Sequence, residues 1–393
     1  MTIRNVLTRI WLIAHREMHM FSRRPMFLFS MLIVPVTSIF LFTTVMGDGL
    51  PVNLPAGLVD EDNTVISRSL VRTLDAMAET DLVARYPSFH EARQAMQRGE
   101  IYAFYHIPKG TTSKALSQRQ PSISFYTNET YFLPSAMLMK EMYLSSELIS
   151  ISVNRSTMTA RGNTLGRAMA ATQPIVLETH PLGNPWISYA ILLCNVILPC
   201  VLILCVLLST SYTIGMEWKM ETHLDLYRMG NHNPAVILMG KLLPQTLLYM
   251  LIFLFMDVYL YKILCYPCHC AFINMVLVGW LTVFAAQGMA IFVFALFPGM
   301  MRFSMSVCSL IGVVSMSISG YSYPTLAMDR YLQYVVNIFP VRHYYLIYVN
   351  QALNGYSIVY VWANVAALTI FMLLPVLVLR RYNKIFTDYS YRP

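Results

Sequence analysis

The chain has 393 residues, of which 56% are hydrophobic and only 12% are charged. Soluble globular proteins carry roughly a quarter Asp, Glu, Lys and Arg, so the composition excludes a soluble enzyme, a disordered scaffold and a small disulfide-rich secreted domain. The mean hydropathy of +0.52 and the net charge of +8 indicate a basic membrane protein.

Residues 1–25 are predicted to form an amphipathic helix in the membrane interface. Its arginines lie off a stripe of apolar residues at helical spacing: Ile3, Leu7, Ile10, Trp11, Ala14, Met18 and Phe21. Such a helix buries its apolar face in lipid and attracts anionic headgroups. We therefore expect membrane lipid, and no nucleic acid, as its partner. A helix packed on a partner protein is the alternative.

Six segments have the length and the low charge that a membrane-spanning helix needs. The first is residues 26–46, and the other five lie in a membrane domain at 186–393, namely 186–215, 242–261, 271–297, 303–321 and 357–379. Residues 322–350 are apolar and aromatic, but Pro340 breaks this segment and Arg342 adds a charge to it. We interpret it as re-entrant or interfacial.

A polar insert at residues 47–185 separates the first two spans. Apolar and strand-like runs near residues 54–59, 101–107 and 123–126 alternate with helical patterns at 65–78 and 90–98. This alternation favours a small α/β domain. We expect the domain to face the periplasm.

Basic residues set the predicted orientation. They are concentrated before the first span, between the second and third spans, and in the tail at 380–393, whereas the opposite short loops contain only Lys262, Arg330 and Arg342. By the positive-inside rule both termini are cytoplasmic.

The loop between the second and third spans carries regularly spaced acids. Glu217, Glu221 and Asp225 are four residues apart, which predicts one acidic face on a short cytoplasmic helix at 216–229 that Gly230 caps. This helix could transmit force from a soluble motor. The alternative is a solvated loop helix without a special role.

Motifs for nucleotide binding and hydrolytic catalysis are absent from the sequence. We expect no catalytic residue, and we expect ATP and magnesium to be bound by a partner. Asp257 is the one ionisable residue in the predicted spans, and an acid there is a candidate proton or cation site. Alternatively, it reaches water or Lys262 near the end of the third span.

Three cysteines cluster between the third and fourth spans, at Cys265, Cys268 and Cys270. With His269, the first two match the C-x-x-C-H haem attachment pattern, but the loop is too short to bury a haem. A disulfide, a metal ion held by the three thiols and His269, and free thiols without a special role remain open. We predict no metal site.

Three sets of residues carry a family resemblance. The acidic loop followed by Gly240-Lys241-Leu242-Leu243-Pro244 resembles the coupling-helix region of ABC-2 type permeases. The run Ser319-Gly320-Tyr321-Ser322-Tyr323-Pro324, with Met328, Asn337, Pro340 and Tyr344, is similar to the family's SGxxFPxxxMP segment, although Tyr323 replaces Phe and Asp329 replaces Pro. In the insert, the run from Gly57 to Asn63 and Ile107-Pro108 resemble the branch with a large periplasmic insert, which is encoded beside membrane-fusion proteins.

The resemblance implies a fold and a set of partners. The fold is an α-helical polytopic membrane protein with six transmembrane helices, like a type V exporter, and an α/β extracytoplasmic domain between helices 1 and 2. The partners are an ABC ATPase, a second permease of the same or a related kind, and further out a membrane-fusion adaptor and an outer-membrane channel. The ATPase would hold the cofactors, and this chain none.

The resemblance also implies roles for individual residues. The helix with Glu217, Glu221, Asp225 and Tyr227 would seat in the ATPase. The second and fifth spans usually line the substrate pathway, which makes Asn195, Ser315 and Ser319 candidates together with Asp257. Hydrogen bonding between helices is the alternative role of the three uncharged residues.

The sequence thus predicts the permease subunit of an exporter in the bacterial inner membrane, moving an amphiphilic or hydrophobic substrate, as in multidrug efflux. Two alternatives remain: a membrane-anchored receptor or assembly factor with an outer sensing domain, and an ion-coupled transporter that uses Asp257.

Overall fold

The structure, a computed structural model, describes residues 3–47, 49–117, 119, 121–162, 164–173, 180, 183–185 and 188–391. These residues divide into two compact units. One lies within residues 1–47 and 181–393, and the other within residues 48–180. Each unit has a hydrophobic core of its own.

The first unit begins with an amphipathic helix and an apolar one. Helix α1 (Ile3–Arg23) precedes α2 (Pro25–Leu28) and α3 (Val34–Val45), which are joined by a π-helical turn at Phe29–Ile33. The predicted apolar stripe of α1 divides between two environments: Ala14 is buried, whereas Leu7 and Trp11 are more than 60% exposed. One side of α1 therefore packs on protein, and another presents apolar side chains outward.

The second unit contains a mixed sheet with the strand order β2-β1-β3-β4. Strand β1 is parallel to β2 and β3, and β3 is antiparallel to β4. The strands are β1 (Leu54–Asp60), β2 (Thr80–Arg85), β3 (Ala103–Ile107) and β4 (Ser124–Thr127), and the helices are α4 (Val65–Asp75), α5 (Phe89–Gln97), α6 (Thr111–Leu116), α7 (Phe132–Ala160) and α8 (Leu165–Thr172). Strand β2, with two charged residues among six, was not predicted.

Helices cover both faces of this sheet. Leu58 packs in a core with residues of α4 and α7, whereas Val59, the next residue of β1, packs in a second core with residues of α5. Successive side chains of a strand point to opposite faces. The apolar run of β1 is therefore explained by burial on both sides.

The remaining helices belong to the first unit. They are α9 (Tyr189–Lys219), α10 (His223–Met229), α11 (Pro234–Val258), α12 (Phe272–Leu296), α13 (Met301–Ile318), α14 (Arg330–Val335), α15 (Pro340–Tyr348) and α16 (Trp362–Asp388). A π-helical turn at Tyr259–Ile263 extends α11. The predicted second span begins at Trp186, which lies outside the described residues.

Six helical stretches of the described chain are long and apolar enough to cross a membrane. They are Pro25–Val45, Tyr189–Lys219, Pro234–Ile263, Phe272–Leu296, Met301–Ile318 and Ile358–Asp388. Four of them reach further into charged sequence than predicted, since α9 includes Glu217, α11 includes Lys241, α13 includes Arg302, and α16 includes Arg380 and Arg381. These helices therefore contain charged residues besides Asp257, which is the one ionisable residue only of the shorter predicted spans.

Helix α12 lies at the centre of the helical unit and packs against α9, α11, α15 and α16. Its approach to α16 depends on Gly288, where a Cβ atom would lie 2.2 Å from the carbonyl oxygen of Phe371. Small residues let helix backbones come this close.

The segment predicted as re-entrant or interfacial forms two short helices with different burial. No residue of α14 is buried, whereas Tyr344, Ile347 and Tyr348 of α15 lie in the main core. Pro340 is the first residue of α15, a position where its missing N–H costs nothing.

Candidate functional site

A network of four charged side chains joins three helices of the first unit. The Nζ atom of Lys241 on α11 lies 2.9 Å from Oε2 of Glu17 on α1 and 2.6 Å from Oε1 of Glu217 on α9. Arg16 contacts both oxygens of Glu217, at 3.0 and 3.1 Å, and also contacts Glu17 at 3.0 Å. The hydroxyl of Thr222 donates to Oε2 of Glu217 at 2.6 Å. We call Arg16, Glu17, Glu217 and Lys241 the charge network.

The charge network is buried and balanced, with two acids and two bases. The side chains of Glu17, Glu217 and Lys241 are at most 2% exposed, and that of Arg16 is 27% exposed. Burial raises the pKa of Glu17, an effect that the nearby Lys241 opposes. Charges this deep persist in proteins only when paired and hydrogen-bonded, so each partner is needed to keep the others in place.

Two close approaches hold α1 in position. A Cβ atom at Gly240 would lie 2.8 Å from the Cβ atom of Ile13 and 2.9 Å from the carbonyl oxygen of Ile10, so glycine lets α1 lie directly against α11. The guanidinium of Arg9 donates to the carbonyl oxygen of Met229, the last residue of α10, at 2.7 Å. Helix α1 thus contacts both α11 and the short helix α10.

The predicted acidic face between the second and third spans is not formed. Helix α9 ends at Lys219, α10 begins at His223, and Glu221 lies between them with a φ of +58°. Glu217 is buried in the charge network, whereas Asp225 is 72% exposed. A predicted single helix at 216–229 is therefore wrong, because the chain breaks after Lys219 and turns.

The side chain of Tyr227 packs against the end of α16 and is partly exposed to solvent. Its hydroxyl donates to Oδ1 of Asn383 at 3.3 Å, and its ring stacks on Phe386. Glu221, Leu224, Asp225 and Arg228 are exposed. We call these four residues the α10 surface.

The uncharged pathway candidates make hydrogen bonds inside the helical core. The amide of Asn195 donates to the carbonyl oxygen of Ile191 and accepts from the hydroxyl of Tyr261, both at 3.0 Å. The hydroxyl of Ser315 donates to the carbonyl oxygen of Gly312 at 2.6 Å, and that of Ser319 to Met316 at 3.5 Å. In this conformation Asn195 joins α9 to the π-helical turn that extends α11, and all three residues are buried.

Asp257 is buried and contacts neither of the two partners considered from the sequence, water and Lys262. Its side chain is 1% exposed, and neither carboxylate oxygen has a hydrogen-bond partner among the described residues. Lys262 is exposed, and its ammonium lies 5.4 Å from the centroid of the Phe272 ring. The alternative in which Asp257 reaches water or Lys262 is therefore wrong for this conformation.

The clustered cysteines are free thiols. The sulfur atoms of Cys268 and Cys270 lie 3.8 Å apart and share a hydrogen bond, while Cys265 is exposed. That hydrogen bond lowers the pKa of Cys268 to about 7 and raises that of Cys270. The disulfide that the spacing left open is not formed. Within the described chain, no group of three or more His, Cys, Asp or Glu side chains could hold a metal ion.

Sequence reasoning missed three of the four members of the charge network. Arg16 was assigned to a lipid-facing helix, Glu17 was not considered, and Lys241 was noted only within a motif. A signal was available: Glu17 lies beside the apolar positions of α1, where an acid facing lipid would be unfavourable. Its position predicts a buried basic partner, although not which one.

Comparison with known proteins gives a match to a protein family. Residues 25–380 match the family model described as "ABC-2 family transporter protein". No curated protein is significantly similar to the chain. The match begins after α1, so Arg16 and Glu17 lie outside it and Glu217 and Lys241 lie within it.

Proposed function

The chain belongs to the ABC-2 family of transporter proteins, and we propose that it is the membrane subunit of an exporter driven by a separate ATPase. Members of this family are multi-pass membrane permeases without a nucleotide-binding domain, and they normally work with an ATPase partner. The proposal adds the direction of transport and an amphiphilic or hydrophobic substrate, as in multidrug efflux.

We propose that the six apolar helices cross the bacterial inner membrane, with both termini cytoplasmic and the unit within residues 48–180 in the periplasm. The distribution of basic residues supports this orientation. Two permeases would form a dimer around the substrate pathway. A membrane-fusion adaptor and an outer-membrane channel would receive the substrate on the far side.

The charge network is the observation that carries the proposal. It ties the end of α9, immediately before the α10 surface, to α1 and α11. A movement of α10 would therefore be transmitted to a long apolar helix through the buried ion pairs and the contact of Arg9 with Met229. Switching between two packings of helices needs such rigid links and no catalytic side chain.

The structure changes which residues we assign to the ATPase contact. Glu221 and Asp225 stay in that role because they are exposed, together with Leu224 and Arg228. Glu217 is assigned to the charge network, where it transmits movement and does not touch the ATPase. Tyr227 is assigned to the contact between α10 and α16.

Purification of the tagged full-length protein from its native membrane in mild detergent tests the proposal. We expect mass spectrometry to identify a co-purifying soluble subunit with a phosphate-binding loop, and a second permease if the dimer is mixed. If no ATPase co-purifies under any mild condition, while the permease remains folded, the proposal is wrong and the receptor or ion-coupled alternatives take its place.

A further inference from the structure

Asp257 is an ionisable group that the proposed function does not use. It lies on α11 among the buried residues Phe253, Met256 and Leu260, which belong to the main hydrophobic core. An ionised carboxylate in such a place needs a cation or several hydrogen-bond donors, because transfer of an unpaired charge from water to an apolar interior is very unfavourable. Both oxygens of Asp257 lack hydrogen-bond partners in the part of the chain that the structure describes.

Among the described residues, the titratable groups that interact electrostatically with Asp257 are Tyr261 on the same stretch of helix, Tyr344 on α15, and Cys268 and Cys270 of the following loop. None of the four is a cation in any protonation state. The hydroxyl of Tyr261 already donates to Asn195. A thiolate at Cys268 would add a negative charge, which disfavours a second negative charge on Asp257.

We propose that Asp257 is a proton-binding site, occupied by a proton in this conformation and emptied when the surrounding helices open a path to water. A proton needs no cavity, which suits a side chain that is 1% exposed. Since the closed conformation would hold one proton more than an open one, low pH would favour the closed conformation, and opening would release a proton. The inference goes beyond the proposed function and does not depend on the ATPase.

Infrared spectroscopy of the full-length permease, with ¹³C-labelled aspartate, tests the site directly. Asp257 is the one buried aspartate among the described residues, so label-sensitive absorption of a neutral carboxylic acid at pH 7 reports on it, while unlabelled glutamates do not contribute. We expect one such band in the wild-type protein. Its absence at pH 7 would show that Asp257 is ionised and would overturn the proposal.

Two variants and a control assign the band. Asp257→Asn should remove it, and Asp225→Asn, at an exposed acid of α10, should leave it unchanged. If Asp257→Asn does not fold, Asp257→Glu should remove the label-sensitive band and leave an unlabelled acid band in its place. Persistence of the label-sensitive band in either variant would mean that another aspartate carries the proton, which also overturns the proposal.

Discussion

The ammonium of Lys241 lies 2.6 Å from the carboxylate of Glu217, and both side chains are at most 2% exposed. The two residues are on different apolar helices, α11 and α9, and each also contacts α1. Their ion pair therefore fixes three helices at one point, directly beside the turn that leads to the α10 surface. Loss of this pair should disturb both the fold and the movement of the helices.

Lys241→Met should destabilise the protein strongly. It leaves Glu17 and Glu217 buried with Arg16 as their one remaining partner in the charge network, and removal of one member of a buried ion pair typically costs about 3–5 kcal/mol. The measurement is the thermal unfolding midpoint of the purified protein in detergent. Lys384→Met, at an exposed lysine of α16, is the control.

A double variant separates charge from packing. Glu17→Gln combined with Lys241→Met leaves the bidentate pair of Arg16 and Glu217 and should recover much of the lost stability. If Lys241→Met unfolds at the same temperature as Lys384→Met, the charge network does not hold the helices together.

Asp225→Lys on the α10 surface should abolish ATPase association and transport while the permease still inserts and folds. The side chain is 72% exposed and forms a 3.6 Å contact with the exposed Arg228, so its replacement costs little stability. Co-purification of the ATPase is the readout. The matched control is Asp329→Lys, at an exposed acid that follows α13 in the chain, and it should retain the ATPase. If Asp225→Lys retains the ATPase equally well, the α10 surface is not the docking surface.

The apolar helices could be predicted because their signal is local. Each is a run of about twenty apolar residues, and such a run has few alternatives to a helix in a membrane. Their ends could not be placed in the same way. Glu217 and Lys241 are charged, so the sequence places both outside the apolar spans, yet α9 and α11 continue through them because each finds its partner on another helix.

The surroundings of the functional residues depend even more than the helix ends on contacts between residues that are distant in the sequence. Glu217, Glu221 and Asp225 share a helical spacing, but a left-handed residue at Glu221 ends that regularity. Asp257 could be located in an apolar span from the sequence, whereas its surroundings could not, because contacts with other helices decide whether Asp257 reaches water or Lys262. Tertiary packing determines both outcomes, and a single sequence does not encode it locally.

Gly240→Val should release α1 from α11. The added Cβ atom, which carries two methyl groups, would have to occupy the space of Ile13 and of the backbone of Ile10. The resulting separation of the helices would break the contact of Lys241 with Glu17. We expect faster proteolysis within α1, measured by mass spectrometry of the digested membrane protein. The control is Gly166→Val, because a Cβ atom at Gly166 would have no neighbour within 4 Å, and this variant should be digested like the wild type. If α1 is digested at the wild-type rate in Gly240→Val, α1 does not pack against α11 at Gly240.

Alkylation of Cys268 should depend on pH with a midpoint near 7. The thiolate is the reactive form, and the hydrogen bond from Cys270 lowers the pKa of Cys268 to about 7, so the rate should rise as the pH passes through this value. Cys270→Ala removes that hydrogen bond and should move the midpoint upward, toward the ordinary thiol value of about 8.5. Maleimide labelling, with the site located by peptide mass spectrometry, follows Cys268 against the exposed Cys265, whose rate should not respond to Cys270→Ala. Cys268 is half-buried, so the reagent can reach it. If the pH midpoint of Cys268 alkylation stays the same in Cys270→Ala, the two thiols are not hydrogen-bonded in solution.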